Sequence, residues 1–539
     1  MSLITKVDEL FIQWDKPDSP GCAVAVIQNG EIIYQRGYGM ANLEYNIPIS
    51  LNSVFDIASN AKQFTAICIV LLARQKFLNL DDELQKYIPE IPQYSQSITI
   101  RHLIDHTSGL RDYLNLMFFA GMRFENKYSN EEIIALIARQ QSLNFDPGTE
   151  QLYCNSGYIL LAEIVRCVSG KSLRVFAQEH IFAPLGMKNT HFHDNFKDIV
   201  ENRADGYAPK DGGGFQIDMS FHDFCGDGQL YTTVEDLILW ERNFYHNSLG
   251  GYGQDLIEEV TTPGKLNNGK VITGSFGLQI SSHGGLKTIT HGGAWTGYRS
   301  NFIRFPDCQF SVICLANLST IDPTKLVFKV ADIYLENDYI EDIIKPISRS
   351  INSINFPVVE LQLKTGFYYN PTTGSIWKLE IKDEKLMAKL AWMYFQLVPI
   401  DTSHFQSIDN EIDYDIEFSE DLTRMIVRVD SGNGIKAYTL EKMLDTPKDL
   451  LTDYLGTYYS TELESEFEIT SANNKLYCKN KGCSPSHLRV VGQALFLVYH
   501  VHADSIHTNK FEFVRDQEDR VVGLYRCCDR VRRLYFSKQ

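Results

Sequence analysis

The sequence lacks a long hydrophobic run and a recognisable secretory signal. Its longest apolar stretch, residues 66–73, ends at Arg74 and is far shorter than the roughly 18 residues that a membrane span requires. The first twenty residues contain no apolar core followed by a small-residue cleavage site. These absences predict a cytoplasmic protein without a membrane span. A periplasmic or secreted location stays open if a signal peptide has been removed.

Paired cysteines are lacking as well. The eleven cysteines are an odd number, they are scattered without C-x-x-C pairs, and several lie in apolar runs, as Cys68 does. This usage is typical of reduced thiols that pack as small hydrophobic groups, and it favours a reducing compartment.

The chain has no surplus of positive charge. It contains 51 basic and 68 acidic residues, which gives a formal charge of −17. Because such a charge repels phosphate backbones and anionic membrane surfaces, nucleic acid is not expected as a partner. Hydrophobic residues at 44% and charged residues at 22% are those of a globular protein.

Three common catalytic motifs are missing. The sequence contains no H-E-x-x-H zinc helix, no G-x-S-x-G nucleophile elbow and no G-x-x-x-x-G-K-[ST] phosphate loop. We therefore expect neither a metal nor a cofactor.

The N-terminal part predicts an α/β fold. Asn29-Gly30 between two apolar runs is typical of a tight hairpin, since both turn residues must accept positive φ. Helical spacing predicts helices over residues 60–77, 80–87 and 323–339, among others, and four strands are predicted between 276 and 316. Strands at both ends with helices between them indicate one antiparallel sheet in which the two ends meet and which helices flank, together with an all-helical subdomain.

The C-terminal part reads as all-β. Short alternating segments are separated by turn clusters such as residues 370–374 and 473–474. Gly366-Phe-Tyr-Tyr returns 90 residues later as Gly456-Thr-Tyr-Tyr, and the aromatic and apolar residues that follow return at the same offset. We therefore predict two related barrel-like domains. The predicted domains are a catalytic one at 1–345, a first barrel at 346–445 and a second barrel at 446–539.

Ser59 and Lys62 form an S-x-x-K motif at the start of the predicted helix 60–77. Positions three apart share a helix face, so the lysine can reach the hydroxyl and make it nucleophilic. The structural alternative is a helix N-cap followed by a solvated lysine. A second copy, Ser375 and Lys378, lies in a predicted strand, where the two side chains would point to opposite faces.

Tyrosine and asparagine in a Y-x-N pattern form the second candidate element. The pattern occurs four times, beginning at Tyr113, Tyr128, Tyr153 and Tyr245. The Tyr128 copy overlaps a capping box, Ser129 to Glu132, which explains it structurally. We favour Tyr153 with Asn155, because a turn precedes them and a helix follows. Whether Tyr153 or Tyr128 faces Lys62 is left open.

A strand that ends in His-Gly-Gly forms the third element. Two copies occur, at His283 and His291. His283 lies between two strand-like runs and reads as a hairpin turn, so we favour His291 with Gly293. A glycine at this point lets the backbone approach a bound substrate.

Together these residues resemble the class C β-lactamase, D-aminopeptidase and esterase branch of the penicillin-binding-protein superfamily. The resemblance covers roughly residues 6–340. It includes further motifs in matching order, which are His106-Thr-Ser-Gly-Leu110, Pro147-Gly148, Pro184-Leu-Gly-Met187, and Thr232 to Leu237. Two positions depart from the usual pattern. Cys154 replaces the usual serine of Y-x-N, and His291 replaces the frequent lysine of Lys-Thr-Gly.

The resemblance implies a serine hydrolase with Ser59, Lys62, Tyr153 and His291 as catalytic residues and Asn155, Gly293 and Ala294 in substrate binding. Ser59 would form an acyl-enzyme, Lys62 and Tyr153 would move protons, and the N–H groups of Ser59 and Ala294 would hold the oxyanion. A histidine is mostly neutral at pH 7, so substrates with a free carboxylate at this position are disfavoured.

The leading hypothesis is a peptidase or amidase of the D-aminopeptidase kind that acts on small molecules or short peptides. A carboxylesterase and a weak β-lactamase are the nearest alternatives. A protein that is acylated without turnover, or an inactive scaffold, belongs to a different class. The sequence does not determine the oligomeric state, and a homodimer is one candidate.

Overall fold

A computed structural model describes residues 2–539 except 340–353, 355, 372–374, 391–392, 409–413, 431–434, 444–451, 474, 481–483, 492–494 and 503–504. The chain divides into two units. The first contains Met1–Leu114 and Arg123–Lys345, and the second contains Asn115–Met122 and Pro346–Gln539.

Half of the strands of the first unit belong to one antiparallel sheet. The strands of this unit are β1 Cys22–Gln28, β2 Glu31–Tyr38, β3 Met40–Asn42, β4 Ile47–Pro48, β5 Phe55–Asp56, β6 His191–Phe192, β7 Tyr207–Pro209, β8 Phe215–Ile217, β9 Leu230–Thr232, β10 Gly274–Ser275, β11 Leu278–His283, β12 Leu286–Trp295, β13 Tyr298–Phe305 and β14 Phe310–Ala316. The large sheet has the order β10-β11-β12-β13-β14-β1-β2. In it Cys22 lies opposite Ala316, so the predicted meeting of the two ends of the domain is confirmed.

Strands β1 and β14 lie at the centre of this sheet. They are buried along nearly their whole length because almost all of their residues are apolar. Helices cover the sheet. The α-helices of the chain are α1 Leu3–Phe11, α2 Lys62–Arg74, α3 Ile100–Ile104, α4 Tyr113–Phe119, α5 Asn130–Ala138, α6 Asn155–Ser169, α7 Leu173–Ala177, α8 Ala183–Leu185, α9 Val234–Tyr245, α10 Asp255–Val260, α11 Pro323–Leu335 and α12 Val358–Lys364. Helix α11 packs on β13 and β14, and α9 contacts β1 and β14.

The helix predicted over 80–87 is wrong apart from a short 3₁₀ turn, Leu84–Lys86. The backbone N–H of Asn79 donates to the Asp82 carboxylate, and that of Asp81 donates to the Asn79 side chain. Such side-chain bonds compete with helical ones. The N–H of Leu84 then bonds to the carbonyl of Ile98, which holds the segment as a turn.

Two closed eight-stranded barrels make up most of the second unit. The strands of the first are β15 Gly366–Tyr369, β16 Ile376–Lys382, β17 Lys385–Leu390, β18 Met393–Pro399, β19 His404–Ile408, β20 Tyr414–Phe418, β21 Arg424–Asp430 and β22 Ile435–Lys442. Those of the second are β23 Gly456–Ser460, β24 Ser465–Ala472, β25 Lys475–Asn480, β26 Ser486–Val491, β27 Leu495–His502, β28 Ser505–Arg515, β29 Val521–Cys527 and β30 Leu534–Lys538. The predicted class, an α/β domain followed by two barrels, is confirmed.

The 90-residue repeat has a structural counterpart. The hydroxyl of Tyr368 donates to the carbonyl of residue 364 at 3.0 Å, and that of Tyr458 donates to the carbonyl of residue 454 at 2.8 Å. Each tyrosine lies opposite an aromatic residue of the next strand, Trp377 in one barrel and Phe467 in the other. The two barrels therefore begin in the same way.

The predicted boundaries at 345 and 445 lie outside the described residues, as do most of turn cluster 370–374 and residue 474. The division into three domains at these points therefore stays a prediction. Within the described ranges, no helix combines the length and the apolar character that crossing a bilayer demands.

Candidate active site

Ser59 lies in a 3₁₀ turn, Ala58–Ala61, that leads directly into α2. Strand β5 precedes the turn and pairs with β9. The other three residues of the turn are buried, whereas Ser59 is partly exposed. The fold thus presents this one hydroxyl to solvent from a buried turn.

The ammonium group of Lys62 is the centre of the site. The side chain is 0% exposed. Its Nζ donates to Ser59 Oγ at 3.1 Å, to Asn155 Oδ1 at 2.8 Å and to the carbonyl of Asp227 at 2.6 Å. An ammonium has three N–H donors, and each of them has an acceptor here. The alternative of a solvated lysine after an N-cap is therefore excluded by the structure.

Asn155 is held by its backbone as well as by its side chain. Helix α6 begins at this residue. Its N–H donates to Asp112 Oδ2 at 2.7 Å. A carboxylate at a helix N-terminus is favourable. This bond orients the amide that accepts from Lys62.

Tyr153 contacts Lys62 through its ring. The Lys62 Nζ lies 4.9 Å from the ring centroid of Tyr153. The ring also lies 6.1 Å from that of His291. Tyr128 instead contacts the ring of His222, and the predicted capping box at Ser129 is confirmed. Of the two candidate tyrosines, Tyr153 is the one that faces Lys62.

The end of β12 comes close to the nucleophile turn because Gly293 has no side chain. A Cβ at this position would lie 2.1 Å from the carbonyl oxygen of Ile57 and 2.4 Å from Ser300 Oγ. Ala294 follows on the same strand, is exposed and lies opposite Arg299. Its role as an oxyanion donor stays a prediction. The other His-Gly-Gly copy, at His283, ends β11 in a hairpin, as predicted.

His291 is electrically neutral in this setting. Burial and the nearby Lys62 charge lower its pKa to about 4. Its Nδ1 lies 2.6 Å from the carbonyl of Gly292, an acceptor, so Nδ1 carries the proton. The other ring nitrogen is then an acceptor, which suits a hydrogen-bond donor on a ligand better than a carboxylate.

Sequence reasoning missed the residues that support these groups. Asp227 supplies a carbonyl to Lys62, while its carboxylate accepts from the Tyr113 hydroxyl at 2.9 Å. Ser300 accepts from Asn60 at 2.8 Å and donates to the carbonyl of Ile57 at 2.7 Å. The first of the Y-x-N copies, at Tyr113, thus belongs to the site through Asp227. No local pattern distinguishes Asp227 or Ser300 from other polar residues.

Aromatic rings continue from Trp295, the residue after Ala294. The Trp295 ring lies 5.9 Å from Phe124 and 5.7 Å from His222, and His222 stacks on Phe224 at 4.7 Å. Phe224 in turn contacts the ring of Tyr113. These rings form an aromatic cluster beside the strand end that carries Ala294, and Phe124 and Trp295 are its partly exposed members.

The part of the chain that contains these site residues is similar to known proteins. A family profile described as Beta-lactamase matches residues 7–327. The chain is 26% identical to penicillin-binding protein 4* of Bacillus subtilis (strain 168), over 77% of this chain and 94% of that protein. It is 25% identical to a D-aminopeptidase of Brucella anthropi, over 94% of this chain and 92% of that protein.

The fold has a counterpart among solved structures. The octameric penicillin-binding protein homologue from Pyrococcus abyssi aligns with 81% of this chain and 100% of its own, with a TM-score of 0.57 and 21% identity. At this identity the likeness concerns the fold alone.

Proposed function

Because the chain belongs to the beta-lactamase family, we propose that it is a serine hydrolase that cleaves amide bonds of small substrates, as a D-aminopeptidase does. The observation that carries the proposal is the 3.1 Å contact between Lys62 Nζ and Ser59 Oγ. A buried ammonium this close to a partly exposed hydroxyl favours the alkoxide that attacks a carbonyl carbon.

In the acylation step, Ser59 Oγ bonds to the carbonyl carbon of the substrate while its proton passes to the oxygen of Tyr153, which reacts as the phenolate beside the Lys62 ammonium. The negative oxygen that forms is held by the N–H groups of Ser59 and Ala294, and each such donor contributes roughly 3 to 4 kcal/mol. The C–N bond then breaks, and the leaving amine takes the proton from Tyr153. Asn155 orients the substrate amide.

Water completes the cycle. Tyr153 removes a proton from the water as its oxygen attacks the acyl carbon, and Ser59 Oγ leaves with a proton. Lys62 keeps its positive charge throughout and lowers the free energy of the alkoxide in both steps. The products are a carboxylic acid and an amine.

Two observations support the amide substrate. The D-aminopeptidase of Brucella anthropi aligns with 94% of this chain, including the barrels. A neutral His291 with an acceptor nitrogen suits the N–H or ammonium group of an amino-acid amide, and it gives no charge to the carboxylate of a penicillin. The proposed substrates are small molecules or short peptides with a D-configured N-terminal residue.

The test compares three chromogenic substrates, D-alanine p-nitroanilide, p-nitrophenyl butyrate and a chromogenic cephalosporin. The wild-type protein is measured beside Ser59→Ala and the matched control Ser375→Ala, which changes the other S-x-x-K serine. Cleavage of the anilide that is lost only in Ser59→Ala supports the proposal. Activity retained by Ser59→Ala rejects the nucleophile.

Selective cleavage of the ester or of the cephalosporin would replace the amidase by a carboxylesterase or a weak β-lactamase. A stable adduct without turnover would indicate a sensor, and neither adduct nor cleavage would indicate a scaffold. The substrate panel thus separates the amidase from each alternative.

A further inference from the structure

The turn that carries Ser59 contains a backbone conformation that alanine rarely adopts. Ala58, the residue before Ser59, has φ +49°. Left-handed backbone is unfavourable for a residue with a Cβ, and it persists only where surrounding contacts impose it. A contact that imposes this conformation therefore controls the position of Ser59.

Asp56 makes such a contact. Its Oδ1 accepts from the N–H of Ala58 at 2.8 Å, across two residues of chain. Asp56 itself is fixed, because it lies on β5 opposite Tyr231 and the next N–H, that of Ile57, donates to the carbonyl of Leu230. The carboxylate therefore holds Ala58 from an anchored strand.

The side chain is costly to keep where it is. Asp56 is 1% exposed, and its Oδ2 has no hydrogen-bond partner among the described residues. Burial and the charge of Asp227 raise its pKa to about 7. A buried carboxyl without a cation does not stabilise a fold, so stability alone does not account for it.

We infer that Asp56 is a positioning residue for the nucleophile, because its bond to the Ala58 N–H holds the left-handed turn that sets Ser59 against Lys62. Asp56 touches neither substrate nor reacting atoms. The inference rests on the proposed function, since it requires Ser59 to react. The counterpart on the other side of the turn is Ser300, which bonds to Ile57 and Asn60.

A charge and a hydrogen-bond acceptor are separable at this position. Asp56→Asn keeps an acceptor oxygen and removes the charge, whereas Asp56→Ala removes both. A second change, Ala58→Gly, makes the same φ accessible without help, because glycine adopts positive φ readily. The variants are therefore Asp56→Ala, Asp56→Asn, Ala58→Gly, and Asp56→Ala with Ala58→Gly.

The readout is the rate at which a fluorophosphonate probe modifies Ser59, together with kcat and KM for the best substrate of the panel. Asp56→Ala is expected to lower the labelling rate and kcat by about 10- to 100-fold with KM nearly unchanged, since displacement of a nucleophile by about 1 Å costs this much. Asp56→Asn and the double variant are expected to stay within about fivefold of wild type. Circular dichroism checks that each variant folds.

Three results would overturn the inference. They are wild-type labelling by Asp56→Ala, a loss in Asp56→Asn as large as in Asp56→Ala, and no recovery in the double variant. If Asp56→Ala does not fold, Asp56→Asn still shows whether the position of Ser59 depends on the acceptor oxygen or on the charge of Asp56. Failure of the proposed function looks different, because the wild-type protein itself would then remain unlabelled at Ser59.

Discussion

The Nζ of Lys62 lies 2.8 Å from Oδ1 of Asn155, so two motifs that are 93 residues apart in the sequence meet at one buried ammonium. Both side chains are almost fully buried. The bond fixes the lysine while its third N–H points to Ser59. A single charge therefore joins the nucleophile to the residue proposed to orient the substrate.

Removing this charge should remove most of the activity. Lys62→Met is expected to lower kcat by about 10³-fold, because the alkoxide of Ser59 loses the positive charge that stabilises it. Steady-state kinetics with the best substrate measures the effect. Lys378→Met, in the S-x-x-K copy on β16, is the matched control and should leave kcat unchanged. More than one tenth of wild-type activity in Lys62→Met would argue against the assigned role.

A charge at His291 should redirect specificity. His291→Lys offers a full positive charge at the strand end, so acylation by penicillins, which carry a carboxylate, should rise about tenfold or more. Cleavage of D-alanine p-nitroanilide should fall in the same variant. The rate of penicilloyl adduct formation measures the gain, and His283→Lys, in the other His-Gly-Gly copy, serves as control. An equal gain in both variants would mean that His291 does not face the substrate.

Asp56 should make stability depend on pH near neutrality. Its pKa is about 7 in the folded chain and near 3.8 in the unfolded one, so the folded state binds the extra proton. The protonated carboxyl is more favourable in the folded chain than the ionised one. This stabilisation is full below pH 3.8 and is lost as the pH rises through 7, by up to about 4 kcal/mol. The groups that face Asp56 are the carboxylate of Asp227 and the hydroxyls of Tyr231 and Tyr298.

Asp56→Asn removes this titration. Its melting temperature relative to wild type should therefore increase between pH 5 and pH 8.5, as calorimetry would measure. The same difference at both pH values would contradict the raised pKa of Asp56.

A buried ion pair should matter for the stability of the first unit. Arg304 and Glu241 lie 2.6 Å apart with side chains 1% exposed, and the guanidinium lies 3.7 Å from the rings of Phe244 and Phe302. Arg304→Met leaves an unpaired buried carboxylate and should destabilise the unit by about 3 to 5 kcal/mol. Arg101→Met, in an exposed pair with Asp81, should cost less than about 1 kcal/mol. Similar shifts of the thermal transition in both variants would contradict this account.

The sequence predicts those parts of the fold that depend on local patterns. The apolar runs of β1 and β14, the Asn29-Gly30 hairpin and the repeat in the barrels each carry their own signal, and the structure contains them. The segment 80–87 has apolar residues at helical spacing, but the Asn79 side chain accepts from the N–H of Asp81 and the Asp82 side chain accepts from the N–H of Asn79. Periodicity alone does not reveal this competition.

The residues of the candidate site likewise fall into two groups, those that a local pattern predicts and those that it does not. Ser59 and Lys62 are three residues apart, so one turn of chain brings them together. Asp227 reaches Lys62 from 165 residues away and Ser300 reaches Asn60 from 240 residues away, and only the tertiary fold brings these residues close. The left-handed backbone at Ala58 is equally hidden, because alanine does not favour positive φ.

The most direct test of the central claim is intact-mass spectrometry of the protein quenched in acid during turnover, followed by peptide mapping. The account predicts one acyl group per chain, located on Ser59, in the wild-type protein, and none in Ser59→Ala. An acyl group on another residue, or steady turnover by the wild-type protein with Ser59 unmodified at every quench time, would contradict it.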